Sequence, residues 1–193
     1  VTWKSIEGVE DEDIYQQYML LILHGQNKDA LAKTKLGAWE YDIVGPYFKC
    51  NMTDIMASIG LVQLKRYDSM LVRRKEIIEK YMEGLKGLPI QILNHYSDEY
   101  LSSGHLFITR IDNFDENMRN HFIEELAEKG ITTNVHYKPL PMMTAYKNLG
   151  FDIDNYPNAF KYYQNQVTLP LHTKLTDDDI DYICRIIHEF FKQ

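Results

Sequence analysis

The chain has 193 residues, a formal net charge of −7 and a sequence pI of about 5.5, and 45% of it is hydrophobic. This composition supports a packed core and argues against nucleic acid as the main partner, because no basic run can neutralise many phosphates. Two cysteines, Cys50 and Cys184, form no C-x-x-C pair and no disulfide framework, and the longest apolar run, Met19 to Leu23, is far short of the roughly 18–20 residues that span a membrane.

Val1 to Lys4 reads as a short strand, with neither a secretory leader nor an initiator Met. The expectation is a cleaved or truncated chain with two free thiols in a cytoplasmic setting. Glu10-Asp11-Glu12-Asp13 places acids in a first helical turn, where they complement the helix dipole. Ile14, Tyr15, Tyr18, Met19, Ile22 and Leu23 follow at helical spacing, which predicts a helix from about Glu10 to Leu23. His24-Gly25 ends it, with Gly25 free to adopt a left-handed conformation. Residues 25–52 form a connection without periodicity, of a length often reserved for function.

Thr53 is a good N-cap, and an apolar stripe from Ile55 through Ile59, Val62, Met70, Ile77 and Tyr81 carries one long helix to about Gly87. Gly60 inside it costs roughly 1 kcal/mol against alanine, so close packing of another backbone on Ala57 and Gly60 is expected. After Pro89 the period changes. Residues 90–93, 105–111, 131–136 and 167–171 read as strands. Asn113-Phe114-Asp115-Glu116 reads as a capping box opening a helix that stops at Gly130. Tyr156-Pro157 starts a short helix, and Thr176-Asp177-Asp178-Asp179 caps a last one through Ile180, Ile183, Cys184 and Ile187. This is an α/β chain ending in a small α+β domain, a sheet covered by helices.

Common chemical signatures are missing. There is no G-x-G-x-x-G, P-loop, H-E-x-x-H or G-x-S-x-G, and the seven histidines show no metal-ligand spacing. From the residues alone, the reading stops at a soluble α+β domain with one polar loop, Lys49-Cys50-Asn51-Met52-Thr53-Asp54-Ile55.

That loop, followed by Ala57, Gly60-Leu61, Gln63-Leu64, Arg73-Arg74 and Tyr81, resembles the middle of the DegT/DnrJ/EryC1/StrS family of pyridoxal-phosphate sugar aminotransferases. Downstream, Gly130-Ile131-Thr132-Thr133, His136-Tyr137-Lys138-Pro139-Leu140, Tyr156-Pro157-Asn158-Ala159 and Leu169-Pro170-Leu171 fall in the family's order. The likeness covers essentially the whole chain. Gly45-Pro46 sits four rather than two residues before Lys49, and Cys50 replaces a usual aromatic, so the loop is expected to bend differently.

The resemblance implies the C-terminal portion of a fold-type I transferase. Residues 1–52 would be a remnant of the large cofactor-binding domain, 53–87 an interdomain helix and 88–193 the small domain. It implies a homodimer with shared active sites, pyridoxal 5'-phosphate as cofactor, and a nucleotide-sugar substrate with an amino-acid donor. Lys49 would reach the cofactor phosphate across the dimer, a role suited to an ammonium with three donors, and Asn51 would add amide donors. His136 and Tyr137 would lie at the sugar-nucleotide site, with Lys138 and Tyr146 as weaker candidates. Arg73-Arg74 reads as a solvated or salt-bridged helix face.

No lysine here has the family's cofactor-lysine context, so no catalytic residue and no metal ligand is assigned, and the chain alone is expected to be inactive. A dehydratase of the same family and a non-enzymatic dimerisation or binding module are the alternatives. Apolar surface along residues 10–24 and on the Ala57/Gly60 face is expected to be exposed and to drive self-association.

Overall fold

Periodicity breaks at proline and glycine punctuate the chain into six helices and three strands among the residues described, which in this computed structural model are 4–27, 42–50 and 52–192. The chain separates into an N-terminal unit, residues 1–64, and a C-terminal unit, residues 65–193. The long helix α2, Asp54–Gly84, begins in the first and ends in the second.

In the N-terminal unit, α1 spans Asp11–Ile22, with Asp11, Glu12 and Asp13 in its first turn and not one buried residue. His24 and Gly25 both take positive φ, and the Gly25 amide returns to the Leu20 carbonyl at 2.8 Å, closing the helix as its sequence predicts. The end of α1 then pairs with the later loop. The His24 amide donates to Phe48, Cys50 to Ile22 and Val44 to Gly25, at 2.9–3.0 Å. Thr53 caps α2, its hydroxyl oxygen accepting from the Met56 amide at 3.4 Å. The strand expected at Val1 to Lys4 falls largely on residues outside the described set, and Lys4 itself is not in a strand.

The C-terminal unit holds the core. Strands β1 (Ile90–Ile92), β2 (Phe107–Ile111) and β3 (Gln166–Leu169) form an antiparallel sheet in the order β1-β2-β3, with Ile90 opposite Ile111 and Phe107 opposite Leu169. Phe107, Thr109 and Ile111 alternate onto one buried face. They meet Ile77, Ile78 and Tyr81 of α2, Phe122 and Leu126 of α3 (Glu116–Glu128), and Ile180, Ile183 and Ile187 of α6 (Asp177–Phe190). On the opposite face of β2, the Arg110 guanidinium lies 4.1 Å from the Tyr162 ring of α5 (Pro157–Tyr163). A four-residue helix α4, Thr144–Lys147, lies in the long connection between α3 and α5.

Two groups in this unit are buried against their chemistry. The Arg119 side chain is only 2% exposed, and it donates to the Tyr163 carbonyl at 3.0 Å and to Asn120 Oδ1 at 2.7 Å. Those partners offset the cost of a buried charge. His95 stacks on Phe107 with ring centroids 5.9 Å apart, and burial lowers its pKa.

Three expectations need correction. Residues 131–136 do not form a strand: they make a single bridge, Asn134 opposite Thr168. β3 ends at Leu169, and Pro170 beyond it has no amide hydrogen with which to extend the bridge toward Thr132, while Asn134 Oδ1 takes the Val135 amide at 2.7 Å. The cap of α3 is Asp115, which accepts from the Met118 amide at 2.8 Å, and Asn113 instead takes positive φ in the preceding turn. A methyl placed on Gly60 meets nothing within 4 Å, so among the described residues no backbone packs there. The capping box at Thr176 and Asp179 is present as expected. Among the described residues, no helix is long and apolar enough to cross a membrane, and no group of His, Cys, Asp and Glu can hold a metal ion.

Candidate functional site

The loop that carries Lys49 is held by its main chain. Lys49 bridges Leu23 in antiparallel fashion, flanked by the Phe48 and Cys50 hydrogen bonds to the end of α1. Its side chain is exposed, and among the described residues its ammonium has no partner. A cation fixed at its backbone and free at its tip suits a phosphate oxygen, which needs a point charge and a donor rather than a shaped pocket. The donor chemistry therefore fits the phosphate of the implied cofactor. Asn51 lies outside the described residues.

His136 and Tyr137 lie in the C-terminal unit. Their rings meet edge to face with centroids 4.7 Å apart, His136 half-buried and Tyr137 71% exposed. His136 Nδ1 lies 2.9 Å from the Thr168 hydroxyl, and Thr168 is itself paired through both main-chain groups with Asn134. Lys138 is exposed. Tyr146 packs against Phe151 at 6.1 Å and is half-buried. The structure thus brings His136 and Tyr137 together, and places Lys49 in the other unit.

Arg73 is salt-bridged, as expected for this helix face, while Arg74 donates to the Ser103 carbonyl at 3.4 Å. Arg73 bridges to Asp177 at 2.8 Å and Glu76 at 3.0 Å and donates to the Leu175 carbonyl at 2.7 Å. The Arg73 hydrogen bond, with Lys80 nearby, holds the Asp177 carboxyl below its usual pKa. A cavity of about 580 Å³ lies between Ile131, Thr132, His172, Leu175 and Tyr182, and none of the candidate cofactor- or substrate-binding residues lines it. Thr168 was missed altogether. Its signal was faint, one hydroxyl inside the apolar run Val167-Thr168-Leu169.

A three-stranded antiparallel sheet with its helices, entered by one long helix, matches the C-terminal half of pyridoxal-phosphate aminotransferases. Residues 8–188 match the DegT/DnrJ/EryC1/StrS aminotransferase family, and the chain belongs to that family. The putative sugar aminotransferase Spr1654 from Streptococcus pneumoniae, in its PMP-form, superposes with a TM-score of 0.91 at 54% identity, over 99% of this chain and 48% of that one. Its PLP-form gives a TM-score of 0.86 at 53% identity, over 95% and 45%. The spore coat polysaccharide biosynthesis protein SpsC of Bacillus subtilis is 32% identical over 95% of this chain and 48% of its own length. The uncharacterized protein MJ1066 of Methanocaldococcus jannaschii is 37% identical over 89% and 45%. The chain thus spans about half the length of the relatives it matches. Pyridoxal phosphate is the cofactor of the family.

Proposed function

We propose that this chain is the C-terminal portion of a pyridoxal-phosphate-dependent aminotransferase that transfers an amino group from an amino-acid donor to a keto-sugar nucleotide. The observation that carries this reading is the 54% identity, at a TM-score of 0.91, to a putative sugar aminotransferase. In it, residues 1–52 belong to the larger domain, 53–87 form the interdomain helix and 88–193 the small domain. Support comes from the unburied faces of the N-terminal unit. Ile55 is 76% and Leu64 67% exposed, and α1 carries an apolar groove of about 310 Å³ lined by Val9, Ile14, Tyr18 and Leu21. The missing half of the fold covers that surface.

The cofactor, when bound, supplies the electron sink for moving the amino group. Lys49 binds its phosphate across a homodimer, with Asn51 adding a donor. His136 hydrogen-bonds the sugar nucleotide, and the exposed Tyr137 ring forms a wall of its site. The 193 residues alone carry out no amino transfer, because no lysine among them has the sequence context of the family's cofactor lysine. The assembled enzyme works in the cytoplasm.

The test uses the longest natural product that contains this segment. Pyridoxal phosphate is added, the visible spectrum recorded, the complex reduced with borohydride and the modified residue mapped. A trapped lysine outside these 193 residues supports the aminotransferase. Bound cofactor without a trapped lysine points to a dehydratase, and no binding at all to a non-enzymatic module. In the same protein, Lys49→Ala weakens cofactor binding by about tenfold to a hundredfold, the scale of one charge-assisted hydrogen bond.

A further inference from the structure

We infer that Thr168 is a positioning residue that fixes the tautomer and orientation of His136, so that the imidazole presents an Nε2–H donor to an acceptor oxygen of the ligand. This rests on the reading of His136 as a substrate contact. Thr168 is 5% exposed, and its hydroxyl lies 2.9 Å from His136 Nδ1. A hydroxyl carries one hydrogen, and a buried one is costly to leave unpaired. Among the described residues, the Thr168 hydroxyl has no hydrogen-bond partner besides Nδ1. The neighbouring Thr109 differs, since its hydroxyl donates to the Val167 carbonyl at 2.8 Å. The O–H of Thr168 therefore donates to Nδ1. An Nδ1 that accepts carries no proton in the neutral ring, which leaves the proton on Nε2.

The same residue fixes where the ring stands. The Thr168 amide donates to the Asn134 carbonyl at 2.7 Å, and the Asn134 amide returns to Thr168 at 3.1 Å. Thr168 thus grips the 134–136 segment three times, twice through main chain and once through its side chain. Among the described residues, the segment has no other ladder contact. Among the described residues Nε2 has no hydrogen-bond partner. Its complement is an acceptor, a phosphate, carbonyl or hydroxyl oxygen, and not a donor such as an ammonium.

Long-range proton–nitrogen correlation spectra of the histidine-labelled chain test this, with the His136 signals identified by their loss in His136→Gln. The expected result is the Nε2–H pattern in the natural chain and in Thr168→Ser, and a mixture of tautomers in Thr168→Val. An Nδ1–H pattern in the natural chain, or an unchanged pattern in Thr168→Val, overturns the inference. In the longest natural product, Thr168→Val raises KM for the keto-sugar nucleotide by about three- to tenfold with kcat little changed, and Thr168→Ser restores it. If His136→Gln leaves KM unchanged while the tautomer shifts in Thr168→Val, the positioning by Thr168 stands and the substrate role of His136 falls.

Discussion

Two glycines on one helix show how differently its two ends are used. A methyl added to Gly84 meets the Cys184 sulfur at 2.6 Å, so α2 and α6 touch there almost backbone to side chain. A methyl added to Gly60 meets nothing within 4 Å. The same contrast separates the units. The C-terminal unit buries residues from α2, α3, α6 and all of β2's inner face, whereas α1 buries none. Among the described residues, one helix thus carries a finished core at its C-terminal end and an unpartnered apolar face at its N-terminal end.

The sharpest probe of this contrast is thiol chemistry. Cys50 is exposed and Cys184 buried, and burial, with the nearby Asp181 charge, pushes the Cys184 thiol up to about 11. Maleimide is expected to label Cys50 readily, and Cys184 about a hundredfold or more slowly until denaturant is added. Equal labelling would mean the C-terminal core is not formed. Next, Phe122→Ala should cost about 3–5 kcal/mol in urea unfolding, because the ring fills the centre of that core.

The glycines themselves come third, with opposite signs. Gly84→Ala should destabilise by about 1–3 kcal/mol through overpacking, while Gly60→Ala should stabilise the isolated chain by up to about 1 kcal/mol. If Gly60→Ala destabilises the longest natural product, another backbone lies on that face in the assembled enzyme.

The pH dependence follows in size. Burial holds the His95 pKa below the ordinary value near 6.5, so the fold keeps the ring neutral while the unfolded chain takes up a proton. Its contribution to stability is complete above about 6.5 and is lost as the pH falls through the lower folded value. The urea midpoint should drop between pH 7.5 and 5.5, and drop less in His95→Gln; equal drops would remove His95 from the account. Smallest of all, Ile59→Lys on the unpartnered face should change stability by less than about 0.5 kcal/mol while reducing self-association in light scattering. Unchanged association would locate the sticky surface elsewhere.

The elements that could be read from the chain were those with local grammar. Acids in the first turn, Thr53, Thr176 with Asp179, and Gly25 each announce a helix end through groups close by in the chain. The run at 131–136 has strand character by local composition, but pairing depends on a partner distant in the chain, and the segment meets β3 at a single bridge, Asn134 opposite Thr168. Asn113 and Asp115 are both competent caps by composition, and only the turn geometry chooses between them. Lys49, His136 and Tyr137 stand as candidates through family likeness and not through their own chemistry. Thr168 was not legible at all, because its partner lies 32 residues away and nothing local marks it.

The crossing of Gly25 and Gly45 has an engineering consequence. Any side chain at Gly25 would collide with the Gly45 carbonyl, and the flanking contacts of the loop are main-chain bonds. The loop is thus a bracket whose shape is written in backbone and whose tip is interchangeable. Residues 48–50 can be randomised as a cassette to graft new anion or cation receptors at that position without re-engineering the scaffold. A bulky residue at 25, by contrast, would unhinge every variant in such a library at once.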